Sequence, residues 1–303
     1  MATDFHPDLR RIARFAPRTL VSPRTLRLIR TLMRLQGLRG ADDVNVEELV
    51  LDSGVGIRLH RRPGVTDVAP ALLWIHGGGY VLGGTKQDER LCLRFNSELG
   101  ITVASVDYRL APEHPYPAAL DDCYSALTWL SRLPAVDPAR VAIGGASAGG
   151  GLAAAVALLA RDRGEITPVL LAYPMLDDRS GSGPKHRDYR LWSSNSNRFG
   201  WASYLGAADP QVAVPARHDD LSGLAPAWIG VGTHDLLHDE DLVYAERLNR
   251  AGVPCHVEVV PGAFHGFDLV APKAQVSRSF SASQCAGLRT AFGTHPKRAA
   301  TTD

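Results

Sequence analysis

The stretch Ile143–Leu152, IGGASAGGGL, sets five glycines within eight positions around one serine, Ser147. Glycine costs backbone entropy in a strand interior and at a helix start, so this density marks a place where the chain turns tightly or approaches another element closely. Gly145 and Gly149 stand two residues before and after Ser147, behind a predicted strand at 141–144 and ahead of an Ala-, Val- and Leu-rich helical run. That context is the one a nucleophile elbow requires. A strained strand-to-helix turn lifts the serine hydroxyl above a sheet edge, and the flanking positions must be small because they crowd neighbouring elements. Placed there, Ser147 sits at a helix N-terminus, where free N–H groups and the helix dipole favour developing negative charge. The competing reading is a glycine-rich packing turn with an incidental serine.

Outward from this turn the chain alternates between apolar runs and helical patterns. Strands are predicted at 71–75, 101–106, 141–144, 168–173, 227–232 and 255–260, with helices between them at about 86–99, 117–133, 148–161 and 239–251. Near-continuous apolar strands separated by helices predict an α/β fold with a mostly parallel central sheet covered on both faces. Residues 44–51 and 55–62, split by Ser53 and Gly54, read as an antiparallel hairpin opening this domain. The rhythm fails at 177–222, which is too long and too rich in Gly, Ser, Asp and Asn for an ordinary loop and reads as an insertion with helices of its own. Near the start, Ser22-Pro23 predicts a helix opening, with Leu26, Ile29, Leu32, Met33 and Leu35 on one face and Arg27, Arg30 and Arg34 on another. A helix packed on the body with a solvated arginine face is the expectation; a basic amphipathic helix lying on a membrane surface is the alternative. Residues from about 294 read as a disordered tail.

A serine nucleophile needs a base, an acid to orient that base, and donors for an oxyanion. His76-Gly77-Gly78-Gly79-Tyr80 directly follows the strand at 71–75, and H-G-G-G after a strand is the pattern that supplies oxyanion N–H groups in lipases and esterases. Gly78 and Gly79 are the preferred donors with Gly77 as the third candidate, joined by Ala148, the residue after the nucleophile. His76 is expected to brace this loop. Spacing excludes other glycine-loop readings: there is no G-x-G-x-x-G, and the final pair of Gly79–Lys86 is inverted relative to a phosphate-binding loop. For the base, His265 in PGAFHGF follows the last predicted strand, in the chain order that this architecture demands. For the acid, Asp235 in GTHDLLHDE follows the strand at 227–232; Asp177 and Asp178, one strand earlier, are its rivals. Asp239 and Glu240 read as dipole-compatible residues opening the next helix. Tyr80, Trp192, Phe199, Trp201 and Tyr204 are candidates for apolar substrate pockets, or equally for the insertion's own core.

Composition narrows the partners. Lys and Arg number 33 against 32 Asp and Glu, so no global field attracts nucleic acid or an anionic membrane. The charge is uneven, however, because residues 1–40 hold nine Arg and two Asp. Cys92, Cys123, Cys255 and Cys285 are widely spaced, a pattern of buried thiols rather than of a disulfide framework or zinc site. No signal-peptide core and no membrane-length apolar run is visible, so a soluble cytoplasmic protein without stable membrane insertion is expected.

Together HGGGY, DYRLAPEHPYPAALDD (107–122), GASAGG, HDLLHDE and FHGF resemble the hormone-sensitive-lipase family of bacterial carboxylesterases, in order, from about residue 70 to 270. The resemblance implies an α/β-hydrolase fold and cofactor-free hydrolysis of short- to medium-chain acyl esters, small molecules, through Ser147, Asp235 and His265. It also implies a cap built from the N-terminal segment, 1–45, and the insertion at 177–222, over a core of 46–176 and 223–293. Asp107, Arg109 and Glu113 become architecture beside the site. Ala146 stands where many members carry Asp or Thr, and Leu236 replaces a usual Pro. Amide hydrolysis, acyl transfer, a binding protein on the same fold and homodimer formation are the further readings.

Overall fold

The computed structural model describes residues 4–19, 21–37, 46–61, 67–165, 167–181 and 189–293. Eight strands, β1 (Val46–Val50), β2 (Gly56–His60), β3 (Ala69–Ile75), β4 (Thr102–Asp107), β5 (Val136–Ala146), β6 (Val169–Ala172), β7 (Ala227–His234) and β8 (Cys255–Phe264), form one sheet in the order β1-β2-β4-β3-β5-β6-β7-β8. The β1–β2 and β2–β4 pairs are antiparallel, and the rest are parallel.

Alternation along each strand assigns residues to the two faces. Ala71, Leu73 and Ile75 of β3, with Val141 and Ile143 of β5 and Leu171 of β6, enter one apolar layer. Leu72 and Trp74, with Ala142 and Leu170, enter the other. Helices cover both: α1 (Arg10–Phe15), α2 (Leu26–Gly37), α3 (Glu89–Leu99), α4 (Ala118–Ser131), α5 (Ala148–Asp162), α6 (Ser194–Leu205), α7 (Pro210–Ala213), α8 (His238–Arg250), α9 (Phe267–Val270) and α10 (Gln275–Ala291). Phe95 of α3 and Phe280 of α10 close one layer; Leu127 of α4, Leu152 of α5 and Leu248 of α8 close the other. Each fully buried side chain of this size contributes about 1.5–3 kcal/mol relative to exposure.

The chain leaves β3 in one direction, for β4, and resumes on the other side of β3 with β5. At such a switch point the connections diverge and leave a crevice beyond the carboxyl ends of the strands. Ile75 pairs with Gly145, so register brings the loop that begins at His76 and the turn at Ser147 side by side.

Residues 4–37 and 189–217 lie across this carboxyl edge. His6 N donates to Gly262 O at the end of β8. The Arg190 guanidinium donates to Ala13 O (2.7 Å) and lies 4.9 Å from the Phe5 ring centre. Leu191 N donates to Pro17 O, and Ser196 Oγ to Val21 O. In α2, Leu26 is buried and Ile29 and Met33 pack on the body, but Leu32 faces solvent, contrary to the periodicity. Arg30 is not on a solvated face either: it donates to Val81 O (2.8 Å) and Ala111 O (2.7 Å) and pairs with Glu113 (2.8 Å). Ser22 and Thr25 cap the entry turn reciprocally, and the helix proper begins three residues after Pro23. Leu35 and Arg34 side chains, residues 38–45 and 182–188, and the tail from 294 lie outside what is described.

Candidate active site

Ser147 occupies φ 56° and ψ −120°, a conformation rare for a residue with a side chain, at the junction of β5 and α5. Such a conformation costs on the order of 1–3 kcal/mol and persists only where the surroundings over-determine it. Here Ser147 N donates to Ala172 O (2.9 Å), while Ser147 O accepts from Met175 N (2.9 Å) and Gly151 N (3.0 Å). The space is equally constrained. A Cβ on Gly145 would lie 2.4 Å from Gly149 O, and one on Gly149 would lie 2.0 Å from Ile75 O. The small residues of the opening motif are therefore required by the contact of β5 and α5 with the end of β3.

Three loops at this edge bring Ser147, His265 and Asp235 together. His265, which follows β8, has Nε2 2.9 Å from Ser147 Oγ and Nδ1 2.8 Å from Asp235 Oδ2. A carboxylate can only accept, so Nδ1–H donates to Asp235, Nε2 carries the lone pair, and the serine hydroxyl donates to it. The other Asp235 oxygen accepts from Leu237 N (3.0 Å), which fixes the carboxylate plane. All three side chains are buried. The rivals are engaged elsewhere, Asp177 with Arg179 (2.7 Å) and Asp178 with Arg217 (2.6 Å).

The glycine loop lies against the serine: a Cβ on Gly77 would be 3.3 Å from Ser147 Cβ. Gly78 and Gly79 have φ of 123° and 62°, and among the described residues their N–H groups have no main-chain acceptor. Ala148 N belongs to the first turn of α5, whose N–H groups lack intrahelical partners. His76 stacks on Tyr108 with ring centres 4.3 Å apart, and its Nδ1 lies 2.8 Å from Gly77 O. Burial holds its imidazole down at about 4, so it is neutral near pH 7 and supports the loop rather than carrying charge.

The aromatic candidates divide. Trp192 lies against Gly79, where a Cβ would meet its ring at 2.1 Å, and 6.0 Å from the His265 ring. Its Nε1 donates to Asn197 Oδ1. Tyr80 stacks on Tyr204 (4.1 Å) and contacts Trp201 (5.1 Å), a buried cluster joining the glycine loop to α6, while Phe199 is half-buried at its margin. A cleft of about 1010 Å³ is lined by Met33, Gly84, Tyr108, Leu110, His114 and Leu269 among others, and by none of Ser147, His265 or Gly77–Gly79.

Sequence reasoning missed two features. Tyr173, at φ 38°, sets its ring edge-on to His265 (4.9 Å) and donates through its hydroxyl to Asp268 Oδ1 (2.7 Å). A tyrosine at a strand end followed by Pro174 gave only a turn signal. Glu240 does not face solvent at the start of α8: it is buried and accepts from Leu176 N (2.7 Å) and Asp177 N (3.1 Å). Burial pushes its carboxyl up to about 8 despite these bonds. The adjacent Asp241 is also fully buried and shifted upward for the same reason. Asp239 is the exposed member of the acidic run and pairs with His238.

A strained serine over a parallel sheet, with an imidazole and a carboxylate in line, has the layout of a hydrolase nucleophile site. A family model described as alpha/beta hydrolase fold matches residues 72–269, and the chain belongs to the α/β-hydrolase fold family. Within that fold its place is among the hormone-sensitive-lipase-like carboxylesterases that the five motifs resemble. It is similar to Carboxylesterase NlhH of Mycobacterium tuberculosis, with 38% identity over 237 residues, 73% of this chain and 74% of the relative. Ethyl acetate hydrolase of Pseudomonas putida shares 34% over 225 residues, 70% of each chain. Among solved structures, esterase LipW from Mycobacterium marinum superposes with a TM-score of 0.85 at 33% identity, covering 95% of this chain and 96% of that one. A bacterial heroin esterase gives 0.84 at 32%, covering 95% and 98%. No helix among the described residues is long and apolar enough to cross a membrane.

Proposed function

We propose that the chain is a serine carboxylesterase that hydrolyses short- to medium-chain acyl esters through an acyl-enzyme on Ser147. His265 Nε2 takes the hydroxyl proton as Ser147 Oγ attacks the ester carbonyl. Ala148 N–H and two of the Gly77–Gly79 amides, Gly78 and Gly79 by preference, donate to the developing oxyanion, an interaction for which one donor typically contributes about 3 kcal/mol. The imidazolium then protonates the departing alcohol, and a water deprotonated by His265 releases the acid. Asp235 holds Nδ1–H and stabilises the imidazolium. No step calls for a cofactor. Trp192 walls the pocket beside the nucleophile. Residues 1–45 and 177–222 act as a cap over the substrate site, and four free thiols suit a reducing compartment such as the cytoplasm.

The observation that carries this reading is the continuous Ser147–His265–Asp235 hydrogen-bond chain, 2.9 and 2.8 Å, at the switch point of the sheet. Ser147→Ala is expected to lower kcat for p-nitrophenyl butyrate by roughly 10⁴-fold or more with the melting temperature retained. Wild-type turnover in that variant would end the proposal, and a chain-length series from C2 to C12 peaking at C10 or beyond would refute its substrate class.

A further inference from the structure

The reading above leaves the charge asymmetry of the chain without a use. The first 40 residues carry nine Arg, no Lys and two acidic residues; the remainder carries 24 Lys and Arg against 30 Asp and Glu. The molecule is thus a weakly acidic body with one strongly basic segment. Of these arginines, Arg30 is consumed by contacts to Val81 O, Ala111 O and Glu113. Arg10, Arg11, Arg14, Arg18, Arg24 and Arg27 are all exposed, and none pairs with a carboxylate among the described residues.

Position matters as much as charge. The segment starts at Gly262, at the carboxyl end of β8, and ends where α2 lies on Val81 and Ala111, beyond the carboxyl ends of β3 and β4. It therefore straddles the sheet edge that holds Ser147 and His265. Apolar side chains stand among the arginines: Phe15 is 78% exposed, Leu28 62% and Leu32 50%. Leu28 and Leu32 are one turn apart on α2, flanking the packed stripe of Leu26, Ile29 and Met33 on its solvent side. Exposed leucines at this spacing beside unpaired arginines are the surface of an interfacial helix, whose apolar side chains enter the acyl boundary while guanidinium groups meet anionic headgroups. Met33, on the inner face of the same helix, lines the cleft whose wall also includes Leu269, itself partly exposed.

We infer that residues 10–19 and 21–32 carry a peripheral docking surface for an anionic lipid bilayer, turning the carboxyl edge toward the membrane. The body's slight excess of acidic groups is repelled by the same surface, so the charge distribution also orients the molecule. Docking of this kind concentrates lipid-soluble esters at the carboxyl edge without spanning the bilayer. It stands independently of the ester-hydrolase reading, and the Ser147→Ala protein should dock as the parent does.

Co-sedimentation of the full chain with vesicles of phosphatidylcholine alone, and of phosphatidylcholine with 30% phosphatidylglycerol, tests this at 50 mM and 500 mM NaCl. Anionic vesicles are expected to bind at low salt, with partition at least tenfold weaker on neutral vesicles and at least tenfold weaker at high salt, since screening shortens the reach of surface charge. Leu28→Ser/Leu32→Ser and Arg24→Gln/Arg27→Gln should each reduce partition several-fold, with the melting temperature unchanged. Absence of binding to anionic vesicles at 50 mM NaCl would overturn the inference. So would partition that responds to the arginines but not the leucines, which would describe a surface for a soluble polyanion. A stable dimer in solution that Leu28→Ser/Leu32→Ser converts to monomer would assign the face to a second copy of the chain instead.

Discussion

In the middle of the sheet, Leu72, Leu73, Trp74, Ala142 and Ile143 are fully buried, where Ala71–Ile75 of β3 pairs in continuous register with Val141–Gly145 of β5. A few residues beyond the ends of β3, β5 and β6, at the carboxyl edge, stand Tyr80, Ser147 and Tyr173, all with positive φ. Leu191, beside Trp192 over the site, is the fourth and last such non-glycine residue among those described. His76, Ser147, Tyr173, Asp235, Glu240 and His265 are also buried at or beside this edge. The difference teaches where strain and desolvation are tolerated. A regular apolar interior supplies a surplus of stability, and the edge uses part of it to hold side chains in conformations and surroundings they would not otherwise adopt.

Two substitutions separate these regimes most sharply. Asp235→Asn keeps the volume of the buried side chain but lets its amide donate toward Nδ1, which favours the wrong imidazole tautomer; kcat for p-nitrophenyl butyrate should fall about 10⁴-fold with little change in melting temperature. A variant within tenfold of the parent would show that the edge carboxylate is ordinary scaffold. Gly149→Ala is the structural counterpart. Its Cβ would arrive 2.0 Å from Ile75 O, a main-chain atom of the sheet that cannot yield. We expect a melting temperature lower by roughly 10 °C, or failure to fold, against only about 0.5–1.5 kcal/mol for Ile143→Val in the interior. Equal losses in the two variants, read by thermal denaturation, would erase the contrast.

Much of the edge was legible in the sequence because close approach dictates residue type. Gly145 and Gly149 are small for a packing reason that shows as a motif, and Asp235 and His265 follow β7 and β8 as the architecture requires. What was not legible lies where the inward face is polar or the partner is distant in sequence. Helix α10 carries Ser277, Ser281 and Gln284 on its buried side, which dilutes the apolar periodicity that would have announced it. Arg30 read as a solvated charge because its acceptors, Val81 O and Ala111 O, lie more than 50 residues away. Glu240 sits in an acidic run suited to a helix start, and nothing local says that Leu176 N and Asp177 N will claim it.

Glu240 sharpens the comparison through pH. Burial raises its carboxyl from 4.5 to about 8, so the folded state binds this proton more tightly than the unfolded chain does. Its contribution to stability is then complete below about pH 4.5 and is lost as pH rises toward 8. Glu240→Gln retains an oxygen that can accept from Leu176 N and Asp177 N but cannot ionise. The variant is expected to match the parent near pH 5 and to melt roughly 5 °C higher at pH 8. Asp88, pushed up to about 6, and Asp241 leave a residual slope in both proteins. Parallel melting curves from pH 5 to 8 for parent and variant would mean that Glu240 is not ionising in this window.

The smallest expected effect concerns Tyr173, which is strained like Ser147 yet takes part in no bond-making step. Its ring lies edge-on to His265, and its hydroxyl ties that ring to Asp268 on the short helix following the histidine. The pair therefore restrains the imidazole only through packing and one hydrogen bond. Tyr173→Phe preserves the ring and removes the bond, worth about 0.5–1.5 kcal/mol, so kcat should fall about two- to tenfold with KM unchanged. Tyr173→Ala removes the wall itself and should cost more in kcat, again with KM nearly constant, because the ring faces the base rather than the substrate cleft. A rise in KM without a fall in kcat would make Tyr173 a pocket residue, and its left-handed backbone would then belong to substrate binding instead of to the orientation of His265.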